Sequence, residues 1–278
     1  MRAEGIGFIT GAQAMYAFVP SHSNSLVWIL LAVAALLVLV VHGAAAQCRP
    51  TPQCDWAELE RYRAANAALP TPSSTTPRVV LMGDSITENW PDSKSGAEMG
   101  SLFPGRPYVN RGISGQTTPQ MLVRFRQDVI ALHPAAVVIL AGTNDIAGNT
   151  GDETLEEIEG NLASMCELAS ASGIRVVLVS VLPATDYPWR PGRQPVQKIG
   201  ALNQWLRGYA AANHHTYLDL YTPMATSAGA MRDGLHVGDD VHPSRAGYEL
   251  MAPLMQKAIE QTLAEKQEQS SANGRAAR

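Results

Sequence analysis

Short, largely apolar runs rich in β-branched residues recur at positions 79–82, 136–141 and 175–181, with shorter ones at 108–110 and 216–220. Stretches of helical length and period lie between and after them, at 118–132, 154–172, 196–214 and 246–266. A strand that is apolar on both faces must be covered on both faces. Helices placed between successive strands supply that cover, so the pattern predicts an α/β domain with a central parallel sheet of about five strands. Ligands of such sheets bind beyond the carboxyl ends of the strands. The chemistry of the chain is therefore sought in the residues that follow each run.

Composition permits this fold and excludes several roles. Of 278 residues, 46 % are hydrophobic and 17 % charged, which is enough for a sizeable core and incompatible with wholesale disorder. Lysine and arginine number 21 against 25 acids, a formal charge of −4. That balance offers no basic surface field, so no nucleic-acid partner is expected. Three cysteines neither build a disulfide framework nor show paired zinc spacing, and no metal is expected.

The first segment reads as an address. Residues 26–41 are an unbroken apolar run, followed shortly by Ala44, Ala45 and Ala46. The run is shorter than the ~20 residues of a spanning helix and ends in small residues, which predicts an export signal removed after Ala46. Counted with the alanines it reaches spanning length, and an uncleaved anchor over 26–46, which would tie the protein to a membrane, is the alternative. Met15 is an alternative start, and Gln47 disfavours Cys48 as a lipid acceptor. Export implies a periplasmic or secreted protein, in whose oxidising surroundings Cys48 and Cys54 could pair. Cys166, in a helical stretch, reads as a small buried hydrophobe. Asp55 and Glu58 fit an N-cap pattern for a helix reaching Ala68, and 69–77 form a Pro/Ser/Thr linker. The domain proper is then 78–264, and a polar tail follows from 265.

Three strand ends carry candidate groups. The first run leads into Gly83-Asp84-Ser85, where Ser85 is either a nucleophile in need of a base or a helix-capping serine. The second leads into Asn110-Arg111-Gly112-Ile113-Ser114-Gly115, where Gly112 either opens its backbone N–H to a ligand or serves a turn. The third ends in Gly142-Thr143-Asn144-Asp145, where the Asn144 amide either reaches over the same crevice or serves a turn. Of seven histidines, His236 and His242 each follow an aspartate, Asp233 and Asp239, by three positions. That spacing lets a carboxylate orient the ring, but it does not choose between the pairs.

The blocks Gly83-Asp84-Ser85, Gly112, Gly142-x-Asn144-Asp145 and Asp239-x-x-His242-Pro243, in this order, resemble those of the SGNH (GDSL) hydrolases over about residues 78–262. The resemblance implies a three-layer, flavodoxin-like sandwich and a serine esterase that needs no cofactor. It implies Ser85 as nucleophile, with Asp239 and His242 completing the triad. It also implies an oxyanion hole made by the Ser85 and Gly112 N–H groups and the Asn144 side chain. The sequel Gly247-Tyr248 after His242 fits the family pattern, and His236 lacks it. Asp233, His236, Asp239, Asp240 and His242 could also be imagined as a metal cluster, but the triad already accounts for two of them. No G-x-S-x-G elbow occurs, which argues against an α/β-hydrolase.

The loop at 184–195 follows the fourth strand. Its Tyr187 and Trp189, with Trp90 after the nucleophile, either stack on a sugar ring or cover an apolar rim. The expectation is a small-molecule or carbohydrate ester with a short acyl group such as acetyl. A lysophospholipase or thioesterase, an O-acetyltransferase with the same triad, and a non-catalytic binding module are the alternatives.

Overall fold

Strand β1 (Val79–Gly83) lies between β2 (Tyr108–Gly112) and β3 (Ala136–Leu140), and β4 (Arg175–Val179) and β5 (Thr216–Leu218) continue the sheet beyond β3. Every pairing is parallel and in the order β2-β1-β3-β4-β5. The chain thus winds outward one way from β1 to β2 and the other way from β3 to β5. The crevice at such a reversal, between the carboxyl ends of β1 and β3, is the expected ligand site. A computed structural model describes residues 55–73, 75–91 and 100–276, all within one compact unit starting at Asp55.

The α-helices of the described residues are α1 (Arg63–Ala68), α2 (Ser85–Glu88), α3 (Thr118–Asp128), α4 (Thr143–Ala147), α5 (Leu155–Ala171), α6 (Val196–Ala212), α7 (Tyr221–Met224) and α8 (Arg245–Ala276). The strand residues divide between two cores by their period of two. Val80, Met82, Val137, Ile139 and Leu178 pack with Phe125 of α3, Leu162 of α5 and Leu206 of α6. Val79, Leu81, Val138, Leu140 and Val177 pack with Met251, Met255 and Ile259 of α8 on the other face. Full burial of such side chains contributes about 1.5–3 kcal/mol each before chain entropy is counted. The result is the three-layer α/β sandwich expected from the pattern.

Local differences have local causes. Strand β2 runs to Gly112 instead of Asn110, because its last residues pair with Met82 and Gly83. Helix α3 stops at Asp128 and a 3-10 turn over Ile130–Leu132 follows, with His133 left-handed at φ 49° and Pro134 unable to donate. Thr154 and Glu157 cap α5 reciprocally, Thr154 N–H donating to Glu157 Oε2 at 2.8 Å and Glu157 N–H to Thr154 Oγ1 at 3.2 Å. Asp55 does accept the N–H groups of Leu59 (2.8 Å) and Glu60 (3.0 Å), yet Glu58 turns left-handed at φ 53° and regular helix begins only at Arg63. Helix α8 continues past the expected end to Ala276. Cys166 is a buried free thiol, pushed up to about 12 by burial. The apolar segment 26–41 and the Cys48/Cys54 pair lie outside the described residues. Among the described residues, no helix is long and apolar enough to cross a membrane.

Candidate active site

At the end of β1, Gly83 is tight against Thr87 and the Leu140 carbonyl, which a Cβ would meet at 2.1 and 2.8 Å. Glycine is what lets the chain turn directly from strand into α2 there. Asp84 caps that helix, its Oδ1 accepting the Ile86 N–H at 2.9 Å, and Ser85 is the first helical residue. Ser85 Oγ lies 2.9 Å from His242 Nε2. His242 Nδ1 lies 2.6 Å from Asp239 Oδ2, and Asp239 Oδ1 accepts the N–H groups of Val241 (3.0 Å) and His242 (2.9 Å). Partial burial raises the Asp239 carboxyl, but the His242 ring and these two N–H groups outweigh it and hold the group below its ordinary value. A hydroxyl, an imidazole and an ionised carboxylate in this line can draw the hydroxyl proton onto the ring.

A short hairpin sets Asp239 and His242 in place. His236 bridges Pro243, Val237 N–H donates to His242 O at 3.0 Å, and Ser244 N–H to Leu235 O at 2.8 Å. Gly238 (φ 107°) and Asp240 (φ 58°) make the left-handed turns at its tip. His236 Nδ1 accepts the N–H groups of Gly238 (3.1 Å) and Asp240 (3.0 Å). The Asp240 carboxylate takes the N–H and hydroxyl of Thr185 and the Met231 N–H. So of the two Asp-x-x-His repeats only Asp239-x-x-His242 meets Ser85, while His236 and Asp240 brace the loop. Tyr248 of α8 ties the hairpin's far end to helix α2, its hydroxyl donating to the Ile86 carbonyl at 2.8 Å.

The candidate oxyanion donors are placed differently from one another. The Gly112 N–H donates to Asn110 Oδ1 at 2.8 Å, inside the β-ladder, where Gly112 pairs with Gly83. It is therefore not open to a ligand. The glycine is needed for close packing instead, since a Cβ there would meet Glu88 N at 2.2 Å and Asp84 O at 2.7 Å. Gly115, three residues on in the same loop at φ 78°, has a backbone N–H with no acceptor among the described residues, as does Ser85. Two glycines in one loop left no signal in the sequence to separate these roles. Asn144 Nδ2 donates to Gln116 O at 3.1 Å and to Asp84 Oδ2 at 3.2 Å. Burial pushes Asp84 up to about 6 and the neighbouring Asp145 up to about 7.

Arg124 is a fully buried cation next to the end of β1. Arg124 donates to Gln116 Oε1 at 2.6 Å, to the Gly83 carbonyl at 3.1 Å and to Asp128 Oδ2 at 3.2 Å. One guanidinium thus joins the strand end before Ser85 to the Gln116 side of the glycine loop. On the outer side, Glu88 Oε2 accepts the Ser114 N–H at 2.8 Å and pairs with Arg61 through its other oxygen.

Two of the three candidate substrate aromatics are core residues. Trp90 is 2 % exposed and packs against Phe103 (5.2 Å between centroids) and Tyr248 (4.9 Å). Tyr187 is fully buried in the opposite core. Their hydrophobic area is satisfied from inside, so neither can stack on a ligand. Trp189 remains at the surface, 39 % exposed, with its ring 5.7 Å from that of His242.

Residues 81–250 match the model of the GDSL-like lipase/acylhydrolase family. The fold is similar to the crystal structure of a GDSL-like lipase from Bacteroides thetaiotaomicron, at TM-score 0.68 and 45 % identity, covering 74 % of this chain and 98 % of that one. An acetylxylan esterase of Geobacillus stearothermophilus is 24 % identical over 55 % of this chain and 72 % of its own length. A lipoprotein of Bacillus subtilis is 31 % identical over 39 % of this chain, and the match spans 49 % of that protein.

Proposed function

The chain belongs to the GDSL-like lipase/acylhydrolase family of carboxylic ester hydrolases, and from that premise we propose that it is a serine esterase working through Ser85, His242 and Asp239. The observation that carries the reading is the unbroken line from Ser85 Oγ through His242 to Asp239, at 2.9 and 2.6 Å. Ser85 Oγ bonds to the ester carbonyl carbon as its proton passes to His242 Nε2. The carbonyl oxygen becomes an oxyanion facing the Ser85 and Gly115 N–H groups and the Asn144 amide, which exchanges or shares one of its present bonds. The C–O bond to the alcohol then breaks, and His242 returns its proton to the departing oxygen. Water repeats the sequence on the acyl-enzyme, giving the acid and free Ser85.

For the substrate we propose a short-chain, acetyl-type ester on a carbohydrate. Trp189 beside His242 supports this, since an exposed indole face at the reacting centre suits the apolar face of a sugar ring. The similarity to an acetylxylan esterase points the same way. The test is hydrolysis of p-nitrophenyl acetate, butyrate and octanoate beside acetylated xylo-oligosaccharides. Turnover falling with chain length, and acetate release from the oligosaccharides, supports the reading. Preference for octanoate overturns the short-chain reading in favour of lipid or thioester substrates.

We also propose that the protein is exported, on the apolar segment 26–41 with its following alanines and on the similarity to a lipoprotein. N-terminal sequencing of the protein from the envelope and extracellular fractions tests this, and a first residue at Gln47 is the expected outcome.

A further inference from the structure

Asn149 has no part in the mechanism above, yet its carboxamide touches three pieces of the site. Its Nδ2 donates to Asn144 Oδ1 at 2.9 Å and to the Gly115 carbonyl at 3.0 Å, and its Oδ1 accepts the Trp189 indole N–H at 2.9 Å. Its backbone N–H is fixed too, to the Asn144 carbonyl at 3.0 Å.

Each contact removes an ambiguity that would weaken an oxyanion site. A carboxamide has nearly the same shape either way round, and Asn144 could present oxygen or NH₂ to the crevice. A donor held against Asn144 Oδ1 leaves only the NH₂ facing Asp84 and Gln116. Gly115, at φ 78°, lies in a loop whose glycine backbone could reorient at little cost. Its carbonyl is held by Asn149 and the preceding Ser114 N–H by Glu88, so the peptide bearing the Gly115 N–H hangs between two pinned neighbours. The third contact reaches the exposed ring beside His242, which connects this support to the substrate rim.

We propose that Asn149 is the positioning residue of the oxyanion site. It sets the direction of the Asn144 amide and of the Gly115 peptide, and it links both to Trp189. The proposal rests on the esterase reading given above.

The test compares full-length wild type with Asn149→Ala and Asn149→Asp on p-nitrophenyl acetate, with active sites counted by a phosphonate burst. Asn149→Asp keeps size and the acceptor for Trp189, but sets a carboxylate against Asn144 Oδ1 and Gly115 O. Both Asn149 variants are expected to lose about 10- to 100-fold in kcat per titrated site, with KM changed by less than about 3-fold. Affinity for a boronic acid, which reproduces the tetrahedral oxyanion, should fall in the same ratio. If kcat per site and boronate affinity stay at wild-type values while Tm falls, Asn149 is only structural and the proposal is overturned. A wild type with no esterase activity on any ester overturns the reading beneath it, and this proposal with it.

Discussion

The Asp239 carboxylate grips His242 twice, taking the ring at Nδ1 (2.6 Å) with one oxygen and the backbone N–H (2.9 Å) with the other. The first contact fixes the tautomer that leaves Nε2 able to accept the Ser85 proton, and the second prevents the ring's own backbone from drifting. Asp239→Asn keeps the shape but can set an N–H against the ring N–H. Its kcat on p-nitrophenyl acetate should fall by about 10²–10⁴-fold with little change in KM. Retention of more than a tenth of wild-type kcat would contradict this role.

Trp90 and Trp189 should separate stability from activity. Trp90 is enclosed by Phe103 and Tyr248, so Trp90→Ala should cost about 3–5 kcal/mol in urea unfolding. Trp189→Ala removes an exposed ring, and should shift KM for acetylated oligosaccharides while leaving the urea midpoint nearly unchanged. The reverse result would mean that the two roles are exchanged.

Arg124 and Asp128 form an ion pair with both side chains at zero exposure, and Asn66 donates to the second carboxylate oxygen at 2.7 Å. Burial is the leading influence on Arg124 and lowers its proton affinity, partly offset by Asp128. Removing one partner strands a buried charge. Asp128→Ala should therefore destabilise by about 3–5 kcal/mol, measured by urea unfolding.

Burial pushes Asp84 up to about 6 and Asp145 up to about 7. Such groups bind their proton more tightly when folded, so their contribution is complete below the unfolded value near about pH 4 and is lost as pH rises through the folded values. Asp239 and Glu88 lie below their ordinary values, because hydrogen bonds and ion pairing outweigh the effect of burial. Their contribution is present above about pH 4 and is lost as pH falls through the folded values. Urea unfolding should therefore give a larger free energy at about pH 5 than at about pH 8, by on the order of a few kcal/mol. Asp145→Asn should narrow that difference, and equal stability at the two pH values would contradict it.

The sheet was legible because buried parallel strands write themselves as continuous β-branched runs, Ser85 and Asn144 because they follow those runs, and His242 through its Asp239-x-x-His242-Pro243 block and the Gly247-Tyr248 that follows. The failures have one cause, that burial and hydrogen-bond partners are tertiary facts. Trp90 and Tyr187 look like rim aromatics in the chain, and only packing against Phe103 and Tyr248, or within the opposite core, shows otherwise. Gly112 and Gly115 are both glycines of one loop, and what separates them is the Asn110 side chain folding back onto the first. His236 and His242 share a spacing motif that does not separate them; the sequel Gly247-Tyr248 favours His242 in the sequence, and the contact with Ser85, 157 residues earlier, is a tertiary fact.

Intact-mass analysis after treatment with a fluorophosphonate tests the central claim most directly, because the reagent bonds to a serine oxygen that a neighbouring base has activated. One adduct per chain is predicted, mapping to Ser85 on peptide analysis, absent from Ser85→Ala and formed far more slowly in His242→Ala. An adduct on another serine, or none on folded protein that hydrolyses esters, would contradict the account.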